Sequence, residues 1–211
     1  MSYDYAGNVA LIAIFICNIP GMVLATTAHE FTRAAVSTVL GDQTPRRDGK
    51  LTLNPMKHFE PIGFLLLFYT QGFGWGMPVE TSTIHYKDKK TCMVLTAVMP
   101  ILVNILLAGI FMAVNHYMVH TTNEYIQMAL HALIYYNVAL AVYNLAPVVP
   151  MDGARVLQAL LPANHYFQYL RYEKTIQGIF LIMILLGYMN GFFVRMIHFV
   201  YIFLEKAFLI L

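Results

Sequence analysis

Long apolar runs separated by short polar stretches set the pattern of this chain. Residues 9–28, 91–114 and 125–146 contain no Asp, Glu, Lys or Arg, and Glu124 only borders the third run. About 20 apolar residues in a helix cross a bilayer core of roughly 30 Å, so each run predicts a spanning helix. Residues 62–78 are also apolar but hold Gly63, Gly72, Gly74 and Gly76, which suits a re-entrant or interfacial segment better than a straight helix. In the C-terminal stretch, residues 175–211, Met189-Asn190-Gly191 reads as a turn inside hydrophobic sequence, so one or two further helices are expected there. The fold class is therefore an all-α polytopic membrane protein, with core helices at about 9–33, 91–114 and 125–146. Without an internal repeat or a polar stretch long enough to fold alone, residues 1–211 are expected to form a single integral membrane domain. The first apolar run is too long for the core of a secretory signal, and residues 1–8 lack its positive flank, so the run is expected to be retained.

Composition sharpens this picture. Hydrophobic residues make up 59% of the chain and charged residues only 11%, against roughly 25% charged in soluble domains. The net charge of +2 forms no basic face, which sets nucleic acid aside as a partner and leaves the lipid bilayer. Cys17 and Cys92 stand in no metal or redox spacing and read as packing residues. Lys and Arg fall unevenly. Arg46, Arg47, Lys50, Lys57, Lys87, Lys89 and Lys90 lie between the first two core helices, Arg155, Arg171 and Lys174 follow the third, and residues 115–124 contain neither type. The positive-inside rule then places the first two groups on the cytoplasmic side and residues 115–124 outside. His29, at the end of the first helix, and Asp152, after the third, meet at the cytoplasmic side in this topology.

Two stretches could carry chemistry. His29-Glu30-Phe31-Thr32-Arg33 is one residue short of H-E-x-x-H, the helical spacing at which two histidines bind zinc and the glutamate activates water. On its own, His29 reads more simply as a satisfied core histidine. The second stretch is Asn144-Leu145-Ala146-Pro147-Val148-Val149-Pro150-Met151-Asp152-Gly153, where prolines end a spanning helix and a carboxylate appears at the membrane edge. An ionisable residue there is a functional candidate, with helix capping by Asp152 as the plainer reading.

Together these stretches resemble the site-2 protease family of intramembrane zinc metalloproteases. Gly41-Asp42, the run from Gly49 through Asn54-Pro55, His58, Pro61-Ile62-Gly63, Asn104 and Asp152-Gly153-Ala154-Arg155-Val156-Leu157 are similar to the small bacterial branch that lacks PDZ and CBS domains. The resemblance implies zinc as cofactor, His29 and Asp152 as ligands, Glu30 as general base, and Asn144, Pro147 and Asn54 as residues meeting substrate. It also implies a bacterial plasma-membrane location and, as partner, a transmembrane segment of another membrane protein. Pro100-Ile101 and Met77 depart from the branch, which usually has Gly-Pro and lysine there.

Arg33 is the larger departure. Its guanidinium has no lone pair, so one ligand is missing, and a fixed positive charge about 4 Å from a cation costs roughly 4 kcal/mol per pair of unit charges at an effective dielectric near 20. With Glu30 three positions away and Asp152 nearby, Arg33 could instead supply the charge a metal would. The alternative is that Arg33 extends to the cytoplasmic headgroups. The function expected is a catalytically impaired or inactive relative that still binds transmembrane segments. The alternative is an active zinc protease in which His58, or less plausibly His165, replaces the missing ligand. His116 and His120 are expected to face outward, His131 to lie too far along its helix, and His85 and His198 to sit at interfaces.

Overall fold

The computed structural model describes residues 5–118 and 123–209. His120 lies outside them. Among the described residues the architecture is entirely helical: α1 (Tyr5–Val39), α2 (Thr44–Arg47), α3 (Pro61–Tyr69), α4 (Lys89–Met118), α5 (Glu124–Tyr143), α6 (Asp152–Leu160), α7 (Ala163–Leu185) and α8 (Asn190–Leu209), with short 3-10 turns at Pro55–Lys57 and Thr83–His85. Three helices are long and apolar enough to cross a membrane: α1 from Ile12, α4 and α5. They answer to the three apolar runs and, with α7 and α8, make this an integral, multi-pass architecture.

The three spans pack on one another in a triangle, with every pair in contact. Close approach of α1 to α5 depends on Gly21, where an added Cβ would lie 2.4 Å from the Ala132 carbonyl oxygen. Small residues let helix backbones approach in a membrane, where lipid offers no hydrophobic drive toward association. From Tyr136 to Tyr143 every residue of α5 is buried. On one side Met22, Ala25, Leu67, Ala132, Tyr136 and Leu140 form one apolar cluster; on the other Phe73, Ala108, Ile134, Val138, Val142, Phe193 and Leu204 belong to a second. α5 ends at Tyr143, three residues before the end of its apolar run: Asn144 caps it and Pro147 cannot continue it.

Residues 62–78 go out and come back. α3 leads outward, Gln71 and Gly72 turn the chain with φ of 54° and 141°, and the Met77 N–H returns to donate to the His58 carbonyl at 2.7 Å. The two arms touch through glycine: a Cβ on Gly63 would lie 2.2 Å from the Trp75 oxygen, and one on Gly74 would lie 2.3 Å from the Gly63 oxygen. The glycines that break the apolar run therefore allow the segment to fold against itself.

The C-terminal stretch forms two helices bent by 81°. Its turn comes earlier than Met189-Asn190-Gly191, since Gly187, with φ of 79°, ends α7 and Asn190 already begins α8. The Tyr188 N–H reaches the Met183 carbonyl and the Gly187 N–H reaches Ile184, the pairing by which a left-handed glycine closes a helix. α8 packs on α4 and α5, and the Phe208 ring covers Gly109, where a Cβ would come within 2.4 Å of the ring.

Candidate functional site

α1 carries His29, Glu30 and Arg33 on adjoining positions of one face, and all three are at most 4% exposed. Asp152 arrives from the first turn of α6 and is fully buried. Its carboxylate does not cap that helix, because Met151 holds the N-cap position and no side chain caps it. Instead Arg33 Nη2 donates to Asp152 Oδ1 at 2.6 Å, and Arg33 Nη1 donates to both oxygens of Glu30 at 2.7 and 2.5 Å. One guanidinium thus bridges two buried carboxylates, the arrangement its planar donor fork suits best. With 2% exposure, Arg33 does not reach toward headgroups.

His29 completes the cluster. Its Nε2 lies 2.9 Å from Asp152 Oδ2 and 3.2 Å from Arg33 Nη2, while Nδ1 lies 2.8 Å from Asn104 Oδ1. Asn104 is held in turn, for its Nδ2 donates to the Ala25 carbonyl and to Asn137 Oδ1. With both amide protons used this way, Asn104 Oδ1 can only accept, so Nδ1 of His29 carries a proton. Nε2 is therefore turned to the centre of the cluster. Fixing the remote ring nitrogen in this manner is how proteins orient a metal-binding histidine.

Two neighbouring segments hold the carboxylates in place. The Val79 N–H donates to Glu30 Oε2 at 2.9 Å, joining the returning arm of residues 62–78 to the cluster. Asn144 Oδ1 accepts from the Asp152 N–H at 3.3 Å, and the Asn144 carbonyl accepts from the Gly153 N–H at 2.7 Å. A Cβ on Gly153 would stand 2.3 Å from the Leu145 oxygen, so the Asn144–Asp152 loop closes only with glycine after the aspartate. Burial opposes ionisation of Asp152, but Arg33 first, and then His29 and Arg155, hold its carboxyl below the usual carboxylate range. Arg155 stands farther off, with Nε 4.0 Å from Asp152 Oδ1 and Nη1 donating to Thr81 Oγ1.

The other expected residues lie apart from these contacts. Asn54 is exposed and caps the Pro55–Lys57 turn. Pro147 is exposed, and its carbonyl accepts from the Tyr169 hydroxyl. His58 is buried and donates from Nε2 to the Thr52 carbonyl, which leaves Nδ1 without a partner. His85, His116, His131, His165 and His198 are exposed. Asn137 and the Val79 N–H belong to the site and were not singled out in the sequence. A buried amide in an apolar run was the available signal for Asn137; a backbone donor left none.

Residues 8–187 match the profile of Peptidase family M50. The chain belongs to this family. It is similar to the Bacillus subtilis (strain 168) protein named "Putative zinc metalloprotease YwhC", with 31% identity over 148 residues, which are 67% of each chain. No solved structure matches it.

Membership in M50 carries the expectation of zinc, and the residues at this site do not fit it. Catalytic zinc takes three protein ligands and keeps one position open. Here the third position holds Arg33, whose nitrogens are all donors, and Nε2 of His29 and both Asp152 oxygens are already engaged. Among the described residues no group of three His, Cys, Asp or Glu side chains is arranged to hold a metal ion. The free space beside Thr26, His29, Glu30 and Arg33 is about 10 Å³, at the lower limit for a single water. Arg33 thus fills the space between Glu30, Asp152 and His29 with charge and volume together.

Proposed function

We propose that this chain is an M50 protein that binds transmembrane segments of other membrane proteins without cutting them, acting as a regulator, a sequestering partner or an assembly factor. The observation that carries this reading is the Arg33 guanidinium, lodged between Glu30, Asp152 and His29. Glu30 is bound to a fixed cation and to a backbone N–H, so neither a metal nor a metal-bound water has access to it as a base. The scaffold around the site is retained, including Asn144 and the exposed Pro147 where a substrate segment would lie. The distribution of Lys and Arg supports a site toward the cytoplasm, and the similarity to a Bacillus subtilis protein supports a bacterial plasma membrane.

Zinc per chain, measured by elemental mass spectrometry on detergent-purified protein, tests the metal-free part of this reading. A value near zero is expected; about one zinc per chain, lost in Asp152→Ala, would overturn it. Binding is tested by a photo-crosslinking residue at Pro147 in native membranes. Capture of a membrane-spanning peptide is expected, unchanged by Glu30→Gln, whereas a product cleaved within its span would show a working protease.

A second reading draws on the buried, unpartnered Nδ1 of His58. In it the protein is an active zinc protease, with His58 leaving the Thr52 carbonyl and Arg33 swinging aside to bring His58 beside His29 and Asp152 as the third ligand, and with Glu30 as base. Zinc near one per chain that disappears in His58→Ala would favour this reading over the first.

A further inference from the structure

Between α2 and α3 the chain builds a compact loop that takes no part in the Arg33 cluster. Pro45 is buried and its carbonyl accepts from the Lys50 N–H at 2.8 Å. Lys50 Nζ donates to the Lys57 carbonyl at 2.7 Å, and His58 Nε2 donates to the Thr52 carbonyl at 2.8 Å. The His58 carbonyl is tied in turn to the Met77 N–H, so the loop is anchored at both ends. This fixed loop displays two kinds of side chain. Leu53, Met56 and Phe59 are exposed, Met56 to 75%, and the same spacing of three continues through the exposed Ile62 and Leu65 of α3. An apolar stripe therefore runs unbroken from α3 into the loop, and large apolar groups presented together in this way mark a contact surface. Arg46, Arg47 and Lys57 are exposed beside it and Lys50 is half-buried. Among the described residues none of these four cations forms an ion pair. Of the two acids in the loop, Glu60 is committed to the first turn of α3, where it accepts from the Gly63 N–H.

We infer that residues 44–59 form a binding surface for acidic phospholipid. Leu53, Met56 and Phe59 sit at the acyl boundary of the cytoplasmic leaflet, and Arg46, Arg47, Lys50 and Lys57 hold the headgroups. A zwitterionic lipid carries its own cation beside the phosphate, so four uncompensated cations at the membrane surface select lipids of net negative charge. The apolar stripe sets the depth at which those cations meet the phosphates, as on the apolar face of an interfacial helix. This surface is separate from the Arg33 cluster, and it holds whether or not the chain takes zinc.

The test uses the full-length chain with a fluorophore on Met56→Cys, since Cys17 and Cys92 are buried. The chain is reconstituted in phosphatidylcholine vesicles containing nitroxide-labelled phosphatidylglycerol or nitroxide-labelled phosphatidylcholine. Both labelled lipids should quench the fluorophore, phosphatidylglycerol at a lower membrane fraction, while aqueous iodide on both sides should not. Each change of Arg46, Arg47, Lys50 or Lys57 to Gln should lower the preference for phosphatidylglycerol about fivefold at low salt. All four together should abolish that preference and leave quenching by phosphatidylcholine in place. Raising the salt should weaken the parent's preference, and inorganic phosphate at constant ionic strength should leave it unchanged. Leu53→Ser with Phe59→Ser should weaken quenching by both lipids. Iodide quenching without nitroxide quenching would overturn the inference, as would equal quenching by the two lipids. Competition by inorganic phosphate would show a site for a free anion and overturn it too. If the fourfold variant is not monodisperse, the salt series on the parent decides, and a preference that persists at high salt defeats the inference.

Discussion

Asp42 follows α1 with no exposed surface. Its Oδ2 accepts from Ser37 Oγ at 2.9 Å and from the Ser82 N–H at 2.7 Å, while Oδ1 accepts from the Thr44 N–H at 3.0 Å. The same extended segment is thus held twice, at Ser82 by Asp42 and at Val79 by Glu30. Burial opposes the charge on Asp42, but the hydrogen bonds from Thr44, Ser82 and Ser37 bring its carboxyl below the usual carboxylate range. A carboxylate lowered in this way stabilises the fold above its unfolded value, and that stability is lost as pH falls through the folded value. Asp42→Asn should therefore cost about 1–3 kcal/mol near neutrality, because the amide nitrogen cannot accept one of the donated N–H bonds. Melting temperatures in detergent should show the gap between parent and variant narrowing below about pH 4. A constant gap down to pH 3 would show that the charge contributes nothing. At this scale the sequence was unevenly legible. Glu30 and Arg33 announce their pairing through helical spacing, but for His29 and Asp152, 123 positions apart, the Lys and Arg pattern gave a shared side of the membrane and only the family resemblance gave a shared site. Nothing in a one-dimensional pattern marks the Val79 N–H as a partner of Glu30.

Helices and their joints respond to substitution according to what lies opposite them. At Gly21 an added methyl meets the Ala132 backbone, which cannot step aside without moving α5. Gly21→Ala should destabilise by about 1–3 kcal/mol, as overpacking does in close-packed interiors. Gly178, midway along α7, has nothing within 4 Å of an added Cβ. There the same change should be neutral or stabilising by up to about 1 kcal/mol, through helix propensity alone. Thermal unfolding of the two variants side by side checks the contrast; equal losses would mean that the α1–α5 crossing does not depend on close backbone approach. The spans themselves were legible because uninterrupted apolar runs have few alternative structures in lipid. The helical start of α7 was not, since its first turns include Arg171, Glu173 and Lys174 and fall outside any apolar run. The out-and-back path of residues 62–78 was half legible: four glycines signalled a break, but not which glycine would face which carbonyl.

Across the molecule, topology and site are one question, because the cluster forms where α1 has arrived and α5 has just ended. Cys17 and Cys92 are buried, so single new cysteines should report cleanly. Tyr117, 81% exposed at the end of α4, should as cysteine react with a membrane-impermeant maleimide added to intact cells. Lys87→Cys, at the other end of that helix, should react only after the membrane is opened. The reverse pattern would place the Arg33 cluster toward the outside. Phe208 adds a matter of timing. Its ring rests on the bare backbone of Gly109, in a helix made much earlier in synthesis. Chains are built from the N-terminus and their parts assemble in that order, so α4 waits in the bilayer with this face uncovered until α8 has been made. The last turn of α8 then acts as a latch, and a chain truncated before Phe208 leaves the bundle open at Gly109.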